Sequence, residues 1–193
     1  MGHRFAELAF TPAVRAVQES MGSRAAYARM EAGPDHHDAL GPDEAGFIAA
    51  RDSFYLASVG ETGWPYLQHR GGPPGFVRVL GPRTIGFADY RGNRQYVTVG
   101  NLARNDRVAL FFMDYPARTR LKLLGHARWV GPEEPALLAA LSAPAGAAPV
   151  ERGIVIEVAA FDWNCSQHIT PRFTEAELEA GAGPDQPWVP AAK

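Results

Sequence analysis

Three observations in the sequence predict a mainly β fold of the α+β type, an antiparallel barrel of about six strands, closed or split, with flanking helices. Short runs rich in aromatic and β-branched residues, such as SFYLASV at 53–59, recur between turns marked by Gly and Pro. Helical patterns fall between groups of strands instead of following each strand in turn. No strand leads into Gly-x-Gly-x-x-Gly and a helix, and there is no Walker loop, so nicotinamide or nucleoside triphosphate binding in its commonest forms is unsupported.

Taken in chain order, residues 11–30 carry Val14, Val17, Met21, Ala25 and Ala28 at three- and four-residue spacing behind a Thr11-Pro12 start, the pattern of an amphipathic helix kinked near Gly22. Residues 32–38 (AGPDHHD) read as a solvated connection, because His36 and His37 are adjacent in a loop and do not converge on one metal ion. A short helix runs from Pro42 to Ala50, its positive end matched by Asp43 and Glu44. Strands at 53–59 and 64–69 form one hairpin around Gly60 to Gly63, and strands at 76–80 and 84–88 form another around Gly81-Pro82.

Residues 93–103 read as a helix with Tyr96, Val99 and Leu102 on one side. The run RVALFFMDY at 107–115 has the composition of a strand buried on both faces. Residues 119–130 alternate more and contain Gly125, a bulge or a bend at a barrel corner. A helix at 132–141, a Pro- and Ala-rich loop and a strand at 153–158 follow; the tail from Gly181 is loose unless Trp188 anchors it.

The 193 residues suffice for one well-buried domain with appendages. A net charge of -2 gives no general attraction to nucleic acid or anionic lipid, so any anion must be caught locally. Cys165 is the only cysteine, which rules out an intrachain disulfide and suits a reducing compartment. With no signal-length apolar run at the start and no stretch of membrane-spanning length, the expectation is a cytoplasmic protein with no membrane partner.

Three segments are more polar than folding requires. In residues 66–75 (YLQHRGGPPG) a strand ends in donors and glycines; either Arg70 and backbone N–H groups hold an anion, or this is a flexible connection with a surface arginine. In residues 87–96 (FADYRGNRQY) a strand end and a helix start offer N–H groups with Arg91 or Arg94 to a phosphate; alternatively Asn93 caps the helix and both arginines face water. Residues 161–173 (FDWNCSQHITPRF) crowd polar, aromatic and basic types directly after the last strand, as in a loop that faces a ligand or a partner. Cys165 fits a buried structural thiol better than a nucleophile, since no general base is evident.

The strand with Pro65-Tyr66, the GFADY strand end with Gly92-Asn93-Arg94, the helix leading to NLARNDRVALFF at 101–112 and the WNCSQHITPRF segment together resemble the pyridoxamine 5'-phosphate oxidase-like family over about 44–173. The resemblance implies a six-stranded antiparallel split β-barrel, a homodimer, and FMN in the two grooves between subunits. It implies cofactor-binding roles for Gln68, His69, Arg70, Asp89, Asn93, Arg94 and Gln95, with Gln167 and His168 approaching from the other subunit. It divides the chain into a helical extension (1–41), an FMN-binding barrel domain (42–173) and a tail (174–193).

The vitamin-synthesising oxidase has a basic Arg-x-x-Leu-Leu-Lys strand where this chain has Gln68-His69-Arg70-Gly71-Gly72-Pro73, a departure that argues against pyridoxine phosphate as substrate. The expected function is therefore an FMN-dependent oxidoreductase acting with a small-molecule substrate or electron donor. No side chain is demanded as acid or base, because the flavin carries the redox step. The alternative is a non-catalytic flavin or haem carrier or sensor, for which His69, His126 and His168 are the candidate haem ligands.

Overall fold

The computed structural model describes residues 2–142, 150–164 and 166–181; of Asn164 only the backbone is described. Its centre is one antiparallel sheet. The strands are β1 (Ser53–Val59), β2 (Pro65–Gly71), β3 (Val77–Gly81), β4 (Thr84–Tyr90), β5 (Arg107–Asp114), β6 (Thr119–Val130) and β7 (Val150–Asn164), in the order β2-β1-β5-β6-β7-β4-β3. The sheet thus has seven strands where the sequence suggested six; both predicted hairpins and three longer runs are strands.

The sheet curls without closing. On its inner face Phe54 of β1 stacks on Phe112 of β5 at 4.9 Å between ring centroids and meets Phe87 of β4 edge-on at 5.3 Å, so one aromatic cluster ties both ends of the sheet together. Arg70 of β2 then reaches across the split to Asp89 of β4 at 2.8 Å. Gly125 marks a register shift in the β6–β7 ladder, and a Cβ there would lie 2.6 Å from the Glu157 carbonyl oxygen. The bend needs this close approach of two backbones, which only glycine permits.

Before the sheet lie α1 (Arg4–Ala9), α2 (Pro12–Ser20), α3 (Arg24–Glu31) and α4 (Pro42–Ala49). The single kinked helix expected over 11–30 is two helices, broken where Gly22 adopts φ +75°. Thr11 caps α2 by accepting from the Val14 N–H at 3.4 Å, and Glu44 caps α4 by accepting from the Gly41 N–H at 2.9 Å. The 32–38 connection is not fully solvated: His37 is half-buried and stacks on the buried His3 with centroids 4.1 Å apart.

Four boundaries differ from those the sequence suggests. β2 extends through Gly71, so the strand expected to end near 69 takes in Arg70 and the first of the glycines after it. The helix expected from Asn93 is α5 (Val97–Leu102), because Arg94 and Tyr96 both have positive φ and hold the preceding residues out of helical geometry. The helix expected from 132 is α6 (Pro135–Leu141). β7 runs on through Phe161, Asp162 and Trp163, since the long β6 offers it a partner residue by residue.

β5 is not buried on both faces. Val108, Leu110, Phe112 and Asp114 point inward and are buried, whereas Ala109, Phe111 and Met113 are half-exposed on the outer face. The chain ends its described part in α7 (Glu175–Glu179). The expectations for Cys165, for most of the Pro- and Ala-rich loop and for the tail with Trp188 lie outside the described residues. No helix among the described residues is long and apolar enough to cross a membrane.

Candidate functional site at the split of the barrel

Strand β2 lies at the sheet edge, and its side chains alternate between two environments. Tyr66, Gln68 and Arg70 pair in register with Ser58, Leu56 and Phe54 and share their inner side; Leu67 and His69 pair with Ala57 and Tyr55 and share the outer side.

On the inner side, at the split, Tyr66, Gln68 and Arg70 form one wall of a cavity of about 270 Å³. The opposite walls come from the end of β4 with Asp89 and Tyr90, the turn with Asn93 and Arg94, the start of α5 with Thr98, and Glu151 of β7. Gln68, Arg70, Asp89, Asn93 and Arg94, drawn from two segments of sequence, therefore face one space. Gln95 does not line it; it is exposed, and its N–H donates to Asn93 Oδ1 at 3.2 Å.

The electrostatics of this cavity are those of shared anions and surplus cations. Asp89 accepts from Arg70 Nη1 at 2.8 Å and has Arg152 Nε at 3.5 Å. Glu151 accepts from Arg152 Nη2 at 2.8 Å and from the Tyr96 hydroxyl at 3.2 Å, with Arg91 Nε at 4.0 Å. Arg94 Nε donates to that same Tyr96 hydroxyl at 3.0 Å, and this bond, with the Glu151 charge, raises the Arg94 pKa further and keeps it cationic. Three guanidiniums, those of Arg70, Arg91 and Arg152, thus reach the two carboxylates, and Arg94 joins them through the Tyr96 hydroxyl; of the four, Arg70 and Arg94 line the cavity itself. Among the described residues the buried Nε–H groups of Arg70 and Arg152 have no hydrogen-bond partner. A site with excess positive charge and spare donors suits an added anion.

The outer side differs in kind. Tyr55, Leu67, Ala109, Phe111, Met113 and Leu124 form a shallow apolar basin of about 680 Å³, with Arg120, Lys122 and Arg172 at its margins. Burial and a hydrogen bond with Tyr55 hold the Tyr115 phenol above its usual pKa, hence neutral. His168, at φ +60°, lies on this basin, and Gln167 beside it is exposed. Of these two residues of the loop after β7, His168 lines the basin, and neither lines the polar cavity of its own chain. His69 packs edge-on against Tyr55 at 5.6 Å and does not line the cavity that holds Gln68 and Arg70, and His126 is an exposed partner of Asp106 at 3.0 Å.

Sequence reasoning did not single out Thr98 and Glu151, which line the cavity, or Arg152, which pairs with its carboxylates. Tyr66 was findable, since it stands two and four residues before Gln68 and Arg70 on the same face of a strand. Glu151 and Arg152 gave no such signal, because they lie before the expected start of their strand.

The family model described as pyridoxamine 5'-phosphate oxidase matches residues 41–160 of this chain. Among solved structures, HupZ from Group A Streptococcus is similar with a TM-score of 0.52 at 15% identity, over 69% of this chain and 100% of that one. A candidate pyridoxamine 5'-phosphate oxidase from Lactobacillus delbrueckii is similar with a TM-score of 0.50 at 20% identity, over 65% of this chain and 94% of that one. At these identities the likeness is one of fold. No curated protein matches the sequence.

Proposed function

The chain belongs to the pyridoxamine 5'-phosphate oxidase family, and on that footing we propose that it is an FMN-binding oxidoreductase that works as a homodimer. The observation that carries the proposal is the meeting of Arg70 and Arg94 on the walls of one cavity, with Arg91 and Arg152 paired to its carboxylates Asp89 and Glu151. A phosphate monoester is a dianion with oxygens that only accept, and this cavity offers the matching surplus of charge and donors. Its size, about 270 Å³, suits a phosphate and a polar chain but leaves little room for a three-ring flavin. The ring system needs apolar surface, which the outer side of β2 and its neighbours supply.

The residues divide the labour accordingly. Arg70 and Arg94 neutralise the phosphate, Asn93 and Gln68 add polar contacts, and Asp89 holds the Arg70 guanidinium in place from across the split. Bound FMN supplies the hydride or single-electron chemistry, for which no side chain need act as acid or base.

A second copy of the chain is the natural cover for the outer basin, where Leu67 is 65% exposed and Phe111 and Met113 are half-exposed. In a two-fold pair, Gln167 and His168 would be delivered to the partner's site. Residues 42–173 are the flavin-binding unit, 1–41 its helical extension and 174–193 its tail. The replacement of a basic strand by Gln68-His69-Arg70-Gly71-Gly72-Pro73 points to a substrate other than pyridoxine phosphate.

The absorption spectrum of the purified protein tests this. Oxidised-flavin bands and release of a molecule of FMN mass are expected, with bleaching on addition of a reduced nicotinamide donor. A colourless protein that takes up no added FMN would overturn the proposal.

A further inference from the structure

Thr98 is nearly fully buried at 2% exposure, although it is polar and close to the start of a short helix. Its hydroxyl makes two contacts. Arg70 Nη2 donates to Thr98 Oγ1 at 3.2 Å, and the Thr98 hydroxyl donates to Gln68 Oε1 at 3.2 Å. The first bond has only one possible direction, because a guanidinium has no acceptor. It uses a lone pair of the hydroxyl and leaves the hydroxyl proton to be placed.

The Gln68 carboxamide decides where that proton goes. With Oε1 toward Thr98, the proton is accepted and both buried groups are satisfied. With the amide turned over, its NH₂ would take the hydroxyl's second lone pair, and the hydroxyl proton would be left buried and unpaired. The sequence Arg70 to Thr98 to Gln68 is therefore a one-way relay that starts at a permanent cation and ends by turning the Gln68 NH₂ outward. Gln68 lines the polar cavity, as do Arg70 and Thr98.

We infer that Thr98 is a positioning residue that sets Gln68 as a hydrogen-bond donor, so that this wall of the cavity recognises an acceptor oxygen, carbonyl or phosphoryl, on the bound molecule. The inference rests on the reading that the cavity holds part of FMN. It adds to that reading the polarity of the contact and the residue that enforces it. Arg70 keeps its 2.8 Å bond to Asp89 without Thr98, so loss of the hydroxyl falls mainly on Gln68.

Equilibrium binding of FMN and of riboflavin, followed by flavin fluorescence, provides the test on wild type, Thr98→Val, Thr98→Ser and Gln68→Glu, with Gln68→Leu alone and combined with Thr98→Val. Thr98→Val is expected to weaken binding about tenfold, the scale of one misdirected hydrogen bond, and Thr98→Ser to restore it. In the Gln68→Leu background, Thr98→Val should cost less than about twofold, since the group it orients is gone. Gln68→Glu, which replaces the donor by an acceptor on an edge strand, should weaken riboflavin as well as FMN if the oxygen belongs to the ring. Effects confined to FMN place the oxygen on the phosphate, and either pattern supports the relay.

Thr98→Val binding both flavins as wild type does, or Gln68→Glu tightening riboflavin, would overturn the inference while leaving FMN binding intact. A wild-type protein that binds neither flavin would instead overturn the underlying reading, and the inference with it.

Discussion

His3 is a buried titratable residue through which the N-terminal segment meets the barrel. Its ring is buried, stacked on His37, and 3.8 Å from Asp162, which itself holds Lys122 at 2.9 Å. Burial is the main cause that lowers the His3 pKa below 6.5; His37 and Lys122 act in the same direction, and Asp162 opposes them. A base with a depressed native pKa stays neutral in the fold while the unfolded chain takes up a proton. Stability is therefore fully present above about pH 6.5 and falls as the pH drops below that value, until the native ring is itself protonated. Urea unfolding between pH 7.5 and 5 should show this decline, and His3→Gln should flatten it; an unchanged slope in the variant would show that His3 contributes nothing to it.

At the same scale, legibility depended on whether a residue's partners were near it in sequence. Arg70 and Arg94 stood out because they flank glycine- or turn-rich segments. Thr98 looked like an ordinary helical residue, and its contacts with Gln68 and Arg70 span 30 and 28 positions. Such contacts have no local trace. His37, read as solvated, is held by the ring of His3, a partner that no loop composition reveals.

Among the elements, β6 and β7 carry the shape of the barrel. The bend at Gly125 leaves no room for a side chain: a Cβ would stand 2.6 Å from the Glu157 carbonyl oxygen and 2.7 Å from Ile156 Cγ2. Gly125→Ala should destabilise the fold by about 1–3 kcal/mol, measured as a shift in the urea midpoint at unchanged slope. Gly63, in the turn between β1 and β2, has nothing within 4 Å of such a Cβ but a φ of +82°, so Gly63→Ala tests strain alone and should cost less.

Gly125 was legible as a bulge because glycine inside an alternating strand has few other uses. The ends of α5 and β7 were not. Two left-handed residues delay the start of α5, and β7 is prolonged by pairing with β6 through residues whose own preferences are mixed.

For the whole molecule, the central fact is that the long apolar run of β5 is covered on one face only. Its composition suggested two buried faces, and a single chain buries one of them. Sedimentation equilibrium should therefore give a dimer. Leu67→Glu, a change at a side chain that is 65% exposed, should shift it toward monomer without lowering the stability of the protomer. A wild-type monomer would leave the outer basin unexplained by self-association. Fold class was the most legible level of all, because turn chemistry and strand composition repeat many times along the chain, and errors at single boundaries do not alter the topology.

The claim on which the account rests is that the cavity at the split grips a phosphate through Arg70 and Arg94. The ratio of FMN affinity to riboflavin affinity measures that grip alone, since the two ligands differ only in the phosphate. Wild type should favour FMN by at least about a hundredfold, and Arg94→Ala, at an exposed position where the fold is not at stake, should reduce the preference about tenfold or more. A ratio near one in wild type, or one that Arg94→Ala leaves unchanged, would contradict it.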